Sequence, residues 1–501
     1  MSTDASRRGG RFNRRHPMLV IALLSVVGLV WLARQPRGDI SAASFNVAPE
    51  VWIPYVPSDD ILESTWFCPG VPATGETDVG GAVIVTNTSD QPTSARVTFL
   101  SDIAAARTKI VDIPAFDRVQ VDVDAEQQGT FVATSVEILG GGGLVEQRAF
   151  YPTSAGLGQS ATPCSINLSS EWYLAEGYTV DLAEQVLLLS NPSADQVVVD
   201  VAFHTASGTI EPSVYNGLPV QPYSVRVIDV GVEGGGARGE ESVGVSVRAA
   251  RGALMVGRSM TADDDRRGGT SISMAAPLLA DRWWFADGVK SPQASERFSV
   301  LNPTDEAVTV LATFFLSDNV EDVAGEAVTS VIEVASRDVA VIDAGALAEL
   351  PEGDHSAVFS TLDGRSIVVD RALTRVSPSG VKVTSIASGV PERRDGLAPT
   401  SWLVAAGPSV EVESGLVVVN LDDVDREVSL STFGSNGLVA VEGSTQMMLP
   451  AASRIVVDLK ETGVLGRPIA VESTGRLLVE RRVPSSDAFS SAWAIAGMPC
   501  C

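Results

Sequence analysis

The stretch RWWFADGVKSPQASERFSVLNPTDEAVTVLATFF, residues 282–315, contains the landmarks from which the rest of the chain is read. Trp283 stands five places before Gly288, Asn302 follows at the head of NPTD, and an apolar run ends at Phe315. The same order recurs three more times. Its openings are TWFCPG from Thr65, EWYLAEG from Glu171 and SWLVAAG from Ser401, and its second landmarks are Asn87, Asn191 and Asn420. From Trp66, Trp172, Trp283 and Trp402 the chain runs 21, 19, 19 and 18 residues to those asparagines, which lie 104, 111 and 118 residues apart. Agreement of order and spacing at a period near 110 residues is internal repetition, so the chain reads as four copies of one unit.

Beyond each asparagine the unit continues in parallel. Valine-rich runs end at Phe203, Phe315 and Phe433, and later alternating stretches carry Asp229, Asp343 and Asp458. A hairpin turn follows, then a strand bearing Arg148, Arg258, Arg371 or Arg481, and each copy closes near Pro163, Pro277, Pro391 or Pro499. Short Val, Ile, Leu, Phe and Thr runs alternating with polar residues, bounded by Gly, Asn, Asp and Pro, predict strands of a sheet with one wet face. The unit therefore holds about eight strands and the chain is all-β. Its size and turn spacing predict four tandem immunoglobulin-like or fibronectin-like β-sandwiches. Two four-stranded blades per copy also fit the length, so a β-propeller-like closed assembly stays open. The expected repeats are 61–164, 165–279, 280–392 and 393–501.

The shared residues read most simply as structural. Trp buries a large ring and seeks a partner for its N–H, so Trp66, Trp172, Trp283 and Trp402 are expected core or junction anchors. Asn87, Asn191, Asn302 and Asn420 are expected Asx-turn residues, bonding the backbone two places on. Asp229 with Arg258, Asp343 with Arg371 and Asp458 with Arg481 lie on nearby strands and are expected to form partly buried pairs. Cys68 and Cys164 bracket the first repeat and form the expected disulfide; Cys500 follows Pro499 as Cys164 follows Pro163, so a Cys68–Cys500 bond stays open.

The first residues differ in kind. Arg7, Arg8, Arg11, Arg14 and Arg15 precede an uncharged apolar run from Met18 to Ala33, with Arg34 and Arg37 after it. A basic cytoplasmic tail (1–16), a transmembrane signal anchor (17–33) and a linker (34–60) are expected, with the bulk of the chain extracytoplasmic by the positive-inside rule. The small residues Ser41-Ala42-Ala43 keep signal cleavage open. The 501 residues carry 36 Lys plus Arg against 62 Asp plus Glu, a net charge of −26, which argues against nucleic acid as a partner.

Catalytic patterns are weak. Gly234, Gly236 and Gly239 fit G-x-G-x-x-G by letter, yet lie between strands with no helix to follow. With only three histidines and four cysteines, and no paired ligand spacing, no metal site, cofactor or enzyme activity is expected. The acidic runs Asp263-Asp264-Asp265 and Asp422-Asp423-Asp425 lack the order of a calcium loop and read as solvated turns.

EWYLAEGYT and RWWFADG, together with EQRAFYP upstream, resemble a repeat of actinobacterial envelope proteins, the family known as domain of unknown function 5719. The first repeat departs from that pattern in WFCPG, and the fourth lacks the acid. The resemblance implies an envelope location and brings no activity, cofactor or binding residue with it. The expected function is a membrane-anchored, non-catalytic scaffold or protein-interaction protein of the bacterial envelope. The alternative is a polysaccharide-binding accessory to envelope glycan assembly, with exposed aromatics stacking on sugar rings.

Overall fold

In a computed structural model, residues 54–57 and 61–497 are described, apart from 141, 155, 233–234, 317–326, 393–398, 406–414, 435–436, 465 and 486–487. The expected tail and anchor, and most of the linker, lie outside these residues, as do Pro499, Cys500 and Cys501. Among the described residues no helix is long and apolar enough to cross a membrane. Contacts divide the chain into residues 1–45 and 46–501, and only the second unit contains described residues.

The first repeat shows how the sequence is used. Its strands are β1 (Glu63–Ala73), β2 (Gly80–Asn87), β3 (Thr93–Ser101), β4 (Arg107–Ile113), β5 (Arg118–Asp122), β6 (Gly129–Leu139), β7 (Gly143–Thr153) and β8 (Gly156–Pro163). They form two open antiparallel sheets, β1-β6-β3-β4 and β5-β2-β7-β8. Six further sheets, built from residues 171–274, 282–391 and 401–496, repeat these two orders pair by pair. The layers are sandwich-like, but the chain changes sheet after most strands, so β1 pairs with β6 and β2 with both β5 and β7. An immunoglobulin domain instead pairs its first two strands. Strand number and turn spacing fix a repeat's size but not which strands pair.

The expectation of one wet face needs correction for half of the sheets. Val308–Leu316, equivalent to β3, alternates buried and half-buried residues as expected. By contrast, β2 and Ala294–Asn302 are buried almost throughout, because their sheets are covered on both faces. One face meets the companion sheet and the other meets the neighbouring repeat: Met255–Asp263, in the same sheet as Ala183–Asn191, packs on β1 of the preceding repeat. The continuous run VLLLS in Ala183–Asn191 is the sequence mark of such two-sided burial.

The repeats close on one another. The last long strand of each, β8, Gly268–Met274, Lys382–Ser388 and Ala488–Trp493, packs on the next, and Ala488–Trp493 packs back on β8. Hydroxyls serve the free strand edges: the Ile272 N–H donates to Ser160 at 2.9 Å, and the Ile386 N–H donates to Ser271 at 2.9 Å. The entering chain completes the junction of repeats four and one. Val56 N–H donates to the Ala496 carbonyl at 2.9 Å and Ala496 N–H to that of Pro54 at 3.0 Å, so the segment 54–56 clasps the last strand.

Candidate functional site: charged seams between repeats

The four motif tryptophans are fully buried. The Trp172 indole donates to the Leu254 carbonyl at 2.9 Å, Trp283 to that of Ile367 at 2.9 Å and Trp402 to that of Leu477 at 2.9 Å. The Trp66 N–H finds no acceptor among the described residues. Asn302 takes the Thr304 N–H on its side-chain oxygen at 3.1 Å, while its amide donates to the carbonyls of Glu306 (2.7 Å), Val334 (3.2 Å) and Ala335 (2.9 Å). Asn87, Asn191 and Asn420 do the same at their own positions, tying one tight turn to the loop beside it. Cys68 and Cys164 are joined, which removes the Cys68–Cys500 alternative.

The expected Asp–Arg pairs do not form. Asp229 lies opposite Val186 while Arg258 lies opposite Leu187; Asp343 is opposite Arg297 and Arg371 opposite Phe298; Asp458 is opposite Gly415 and Arg481 opposite Leu416. One residue of offset puts acid and base on opposite faces of the sheet. The aspartates are exposed and accept the N–H two places on, from Gly231, Gly345 and Lys460, each at 2.8 Å.

The arginines, all buried, reach across to the following repeat. Arg258 meets Asp370 at 2.9 Å and Arg371 meets Glu480 at 2.9 Å; Arg481 contacts Glu146, which also accepts from Arg148 at 2.9 Å. Each receiving carboxylate does further work. Asp370 accepts the N–H groups of Ala175 and Glu176 at 3.0 Å, and Glu480 those of Ala286 and Asp287 at 3.2 Å, all within the tryptophan motifs. The first-to-second seam is different. Gly257 occupies the acid's place there, and a β-carbon on it would lie 2.3 Å from Cβ of Pro69, so proline and glycine interlock instead.

The acids within the motifs, Glu176 and Asp287, sit in separate seams. Glu176 pairs with Arg267 at 2.6 Å and accepts the Ser299 hydroxyl. Asp287 is enclosed by Arg375 at 2.8 Å, Arg482 at 2.8 Å, Arg454 at 3.7 Å and the Ser491 hydroxyl. Burial works to raise the Asp287 carboxyl, but the guanidiniums of Arg375, Arg482 and Arg454 outweigh it and hold the group well below the ordinary carboxylate range. Another buried contact, His355 with Glu296 at 2.7 Å, lies within the third repeat.

Other candidates resolve into local structure. Asp264 accepts the Tyr178 hydroxyl at 2.7 Å and the N–H groups of Arg266 and Arg267 at 2.7 Å, while Asp422 is held by Arg426 and Arg476, each at 2.6 Å. Gly236 and Gly239 lie in a loop between strands. Where the four last strands meet, a recess lined by Thr162, Ser273, Ser388, Ser491 and Trp493 has room for little more than a water molecule.

These seams frame the comparison with known proteins. Residues 145–388 match the model of a family of unknown function, DUF5719. The resemblance read from the tryptophan motifs is thus shown over this segment, and the DUF5719 match runs from β7 to the strand Lys382–Ser388. It takes in Arg148, Arg258 and Arg371 but not Arg481. Among curated proteins none matches. A crystal structure of Thermotoga maritima 1070 is 15% identical, covering 20% of this chain and 91% of that one, with a TM-score of 0.18. A tetra-tandem repeat from the extending region of a large adhesion protein is 12% identical, covering 86% of this chain and 99% of that one, with a TM-score of 0.12. At such scores the likeness carries no argument.

Proposed function

We propose that the chain is a membrane-anchored, extracytoplasmic, non-catalytic scaffold of the bacterial envelope, its four repeats forming one interaction body. The observation that carries this reading is where the repeated ionisable residues are used. Arg258, Arg371 and Arg481 are buried and engage carboxylates of the next repeat, so what the repeats share is joinery. Asp287 supports the same reading, since a carboxyl held well below its ordinary range is poorly placed to give up a proton at neutral pH. The anchor and the outward orientation rest on the arginine-flanked apolar run.

A specific observation favours the glycan-binding alternative. Trp284 and Phe315, both half-buried, stack at 6.1 Å between centroids beside Arg282 and Glu392, an aromatic ledge of the kind that receives a sugar ring. In-cell crosslinking through the exterior portion, with attached protein and attached glycan analysed separately, distinguishes the two. One dominant envelope protein is expected. Predominant recovery of polysaccharide, lost in Trp284→Ala, would overturn the scaffold reading.

A further inference from the structure

Each repeat ends one of its sheets in an outward edge strand, and the four equivalent edges are managed differently. In the first repeat β4 carries Arg107, Lys109 and Asp112, with Lys109 paired to Glu126 at 2.5 Å. In the second and fourth repeats the equivalent edge is broken into two short pieces, Gly208–Ile210 with Leu218–Val220 and Gly437–Ala440 with Met447–Leu449, none longer than four residues. Charge and brevity are the usual ways of keeping an edge from pairing with a foreign strand. The third repeat uses neither. Its edge strand, Ala327–Val334 (AVTSVIEV), has eight residues, one charge at Glu333, and Val331 exposed by 59%. It ends the order of its sheet, and among the described residues no strand lies beyond it.

We propose that Ala327–Val334 pairs edge to edge, antiparallel, with the same strand of a second copy of this chain. Two-fold symmetry requires residues of the same face to meet, so the pairing centres on a residue and not between two. Centred on Val331, the exposed face places Val331 against Val331 and Thr329 against Glu333, while the inner face places Val328 against Val334. The strand's one charge then meets a hydroxyl and never its own image. The two Glu333 side chains lie four residues apart along the ladder, about 13 Å, beyond the screening length at physiological salt. Centring on Glu333 would set like charges face to face. A single strand pair is a small interface, so the association belongs to the transient class.

Directly opposed residues of an antiparallel pair have β-carbons about 5 Å apart, within reach of a disulfide. The test therefore uses the full chain in detergent with Cys500 and Cys501 changed to Ser, carrying Val331→Cys, under mild oxidation. A covalent dimer is expected on a non-reducing gel, several-fold above that of Leu438→Cys, which is 50% exposed on the short fourth-repeat edge. Thr329→Cys and Glu333→Cys are each expected to crosslink poorly alone and well when mixed. Equal crosslinking by Val331→Cys and Leu438→Cys overturns the proposal, and dimers from Thr329→Cys alone overturn the register. Light scattering gives a check without cysteine: the parent chain is expected to associate with rising concentration and Val331→Lys to remain monomeric at an unchanged circular dichroism spectrum. A parent chain that is monomeric throughout the series sinks the idea.

Discussion

Arg371 has two acids that sequence could offer it, Asp343 in its own sheet and Glu480 in the next repeat, and only Glu480 touches it. A double-mutant cycle on Arg371→Gln and Glu480→Gln is expected to show a coupling of about 1–3 kcal/mol, whereas Arg371→Gln with Asp343→Asn should be additive. Asp287→Asn takes the carboxylate from Arg375 and leaves Arg482 and Arg454 only their contacts with Asp354, and is expected to cost about 3–5 kcal/mol in a denaturant titration. Because the folded carboxyl of Asp287 is depressed, its contribution is complete above the unfolded value of about 3.9 and is lost as pH falls below it. Stability should drop on acidification below roughly pH 4, and less steeply in Asp287→Asn. The tryptophans and asparagines were legible because their partners are local or lie at fixed offsets. The partners of the arginines were not, since Glu480 lies a whole repeat away. The readable signal was the acid just before two of the arginines, Asp370-Arg371 and Glu480-Arg481. An acid one place before a buried arginine lies on the opposite face of its strand, free to receive the arginine of the preceding repeat.

At the scale of elements, Asn302 ties the turn after Ala294–Asn302 to the segment before Asp338–Asp343 through two donated bonds, to the Val334 and Ala335 carbonyls, while one donated to Glu306 and one accepted from the Thr304 N–H close the turn itself. Asn302→Ala leaves buried carbonyls unpaired and is expected to destabilise by about 2–4 kcal/mol, with Asn302→Asp recovering only the accepted bond. The strands themselves could be read from apolar runs and turn residues. Their pairing could not. The order β1-β6-β3-β4 joins segments separated by several turns, and no local pattern distinguishes β6 from β2 as the neighbour of β1. The runs without alternation, VLLLS and VVV among them, already indicated sheets covered on both faces, a cue stronger than the average alternation suggested.

For the whole molecule, one continuous apolar core runs through the second, third and fourth repeats, and the first repeat's core takes in Ile272, Ala405 and Ile495 from its neighbours. Repeats joined in this way share stability instead of summing it, so residues 54–501 should melt in a single calorimetric transition, and residues 280–392 expressed alone should show no cooperative one. Two separated transitions in the longer chain would mean that the seams are weaker than the cores. Changing Val56→Pro removes a donor from the clasp and is expected to lower the midpoint of that transition while leaving it single.

The disulfide acquires a further meaning if the chain is held by one end. Tension entering through the segment 54–56 first unzips its bonds to Ala496 and then arrives at Cys68, from which the covalent path leads straight to Cys164. The sequence between the two cysteines, separated by 96 positions, bears no load and pays out no length. Stretched from its two ends in an optical trap, the oxidised chain should therefore extend less than the reduced one, by roughly 340 Å at ~3.5 Å per residue. Under such a load the first repeat behaves as a short inelastic shackle.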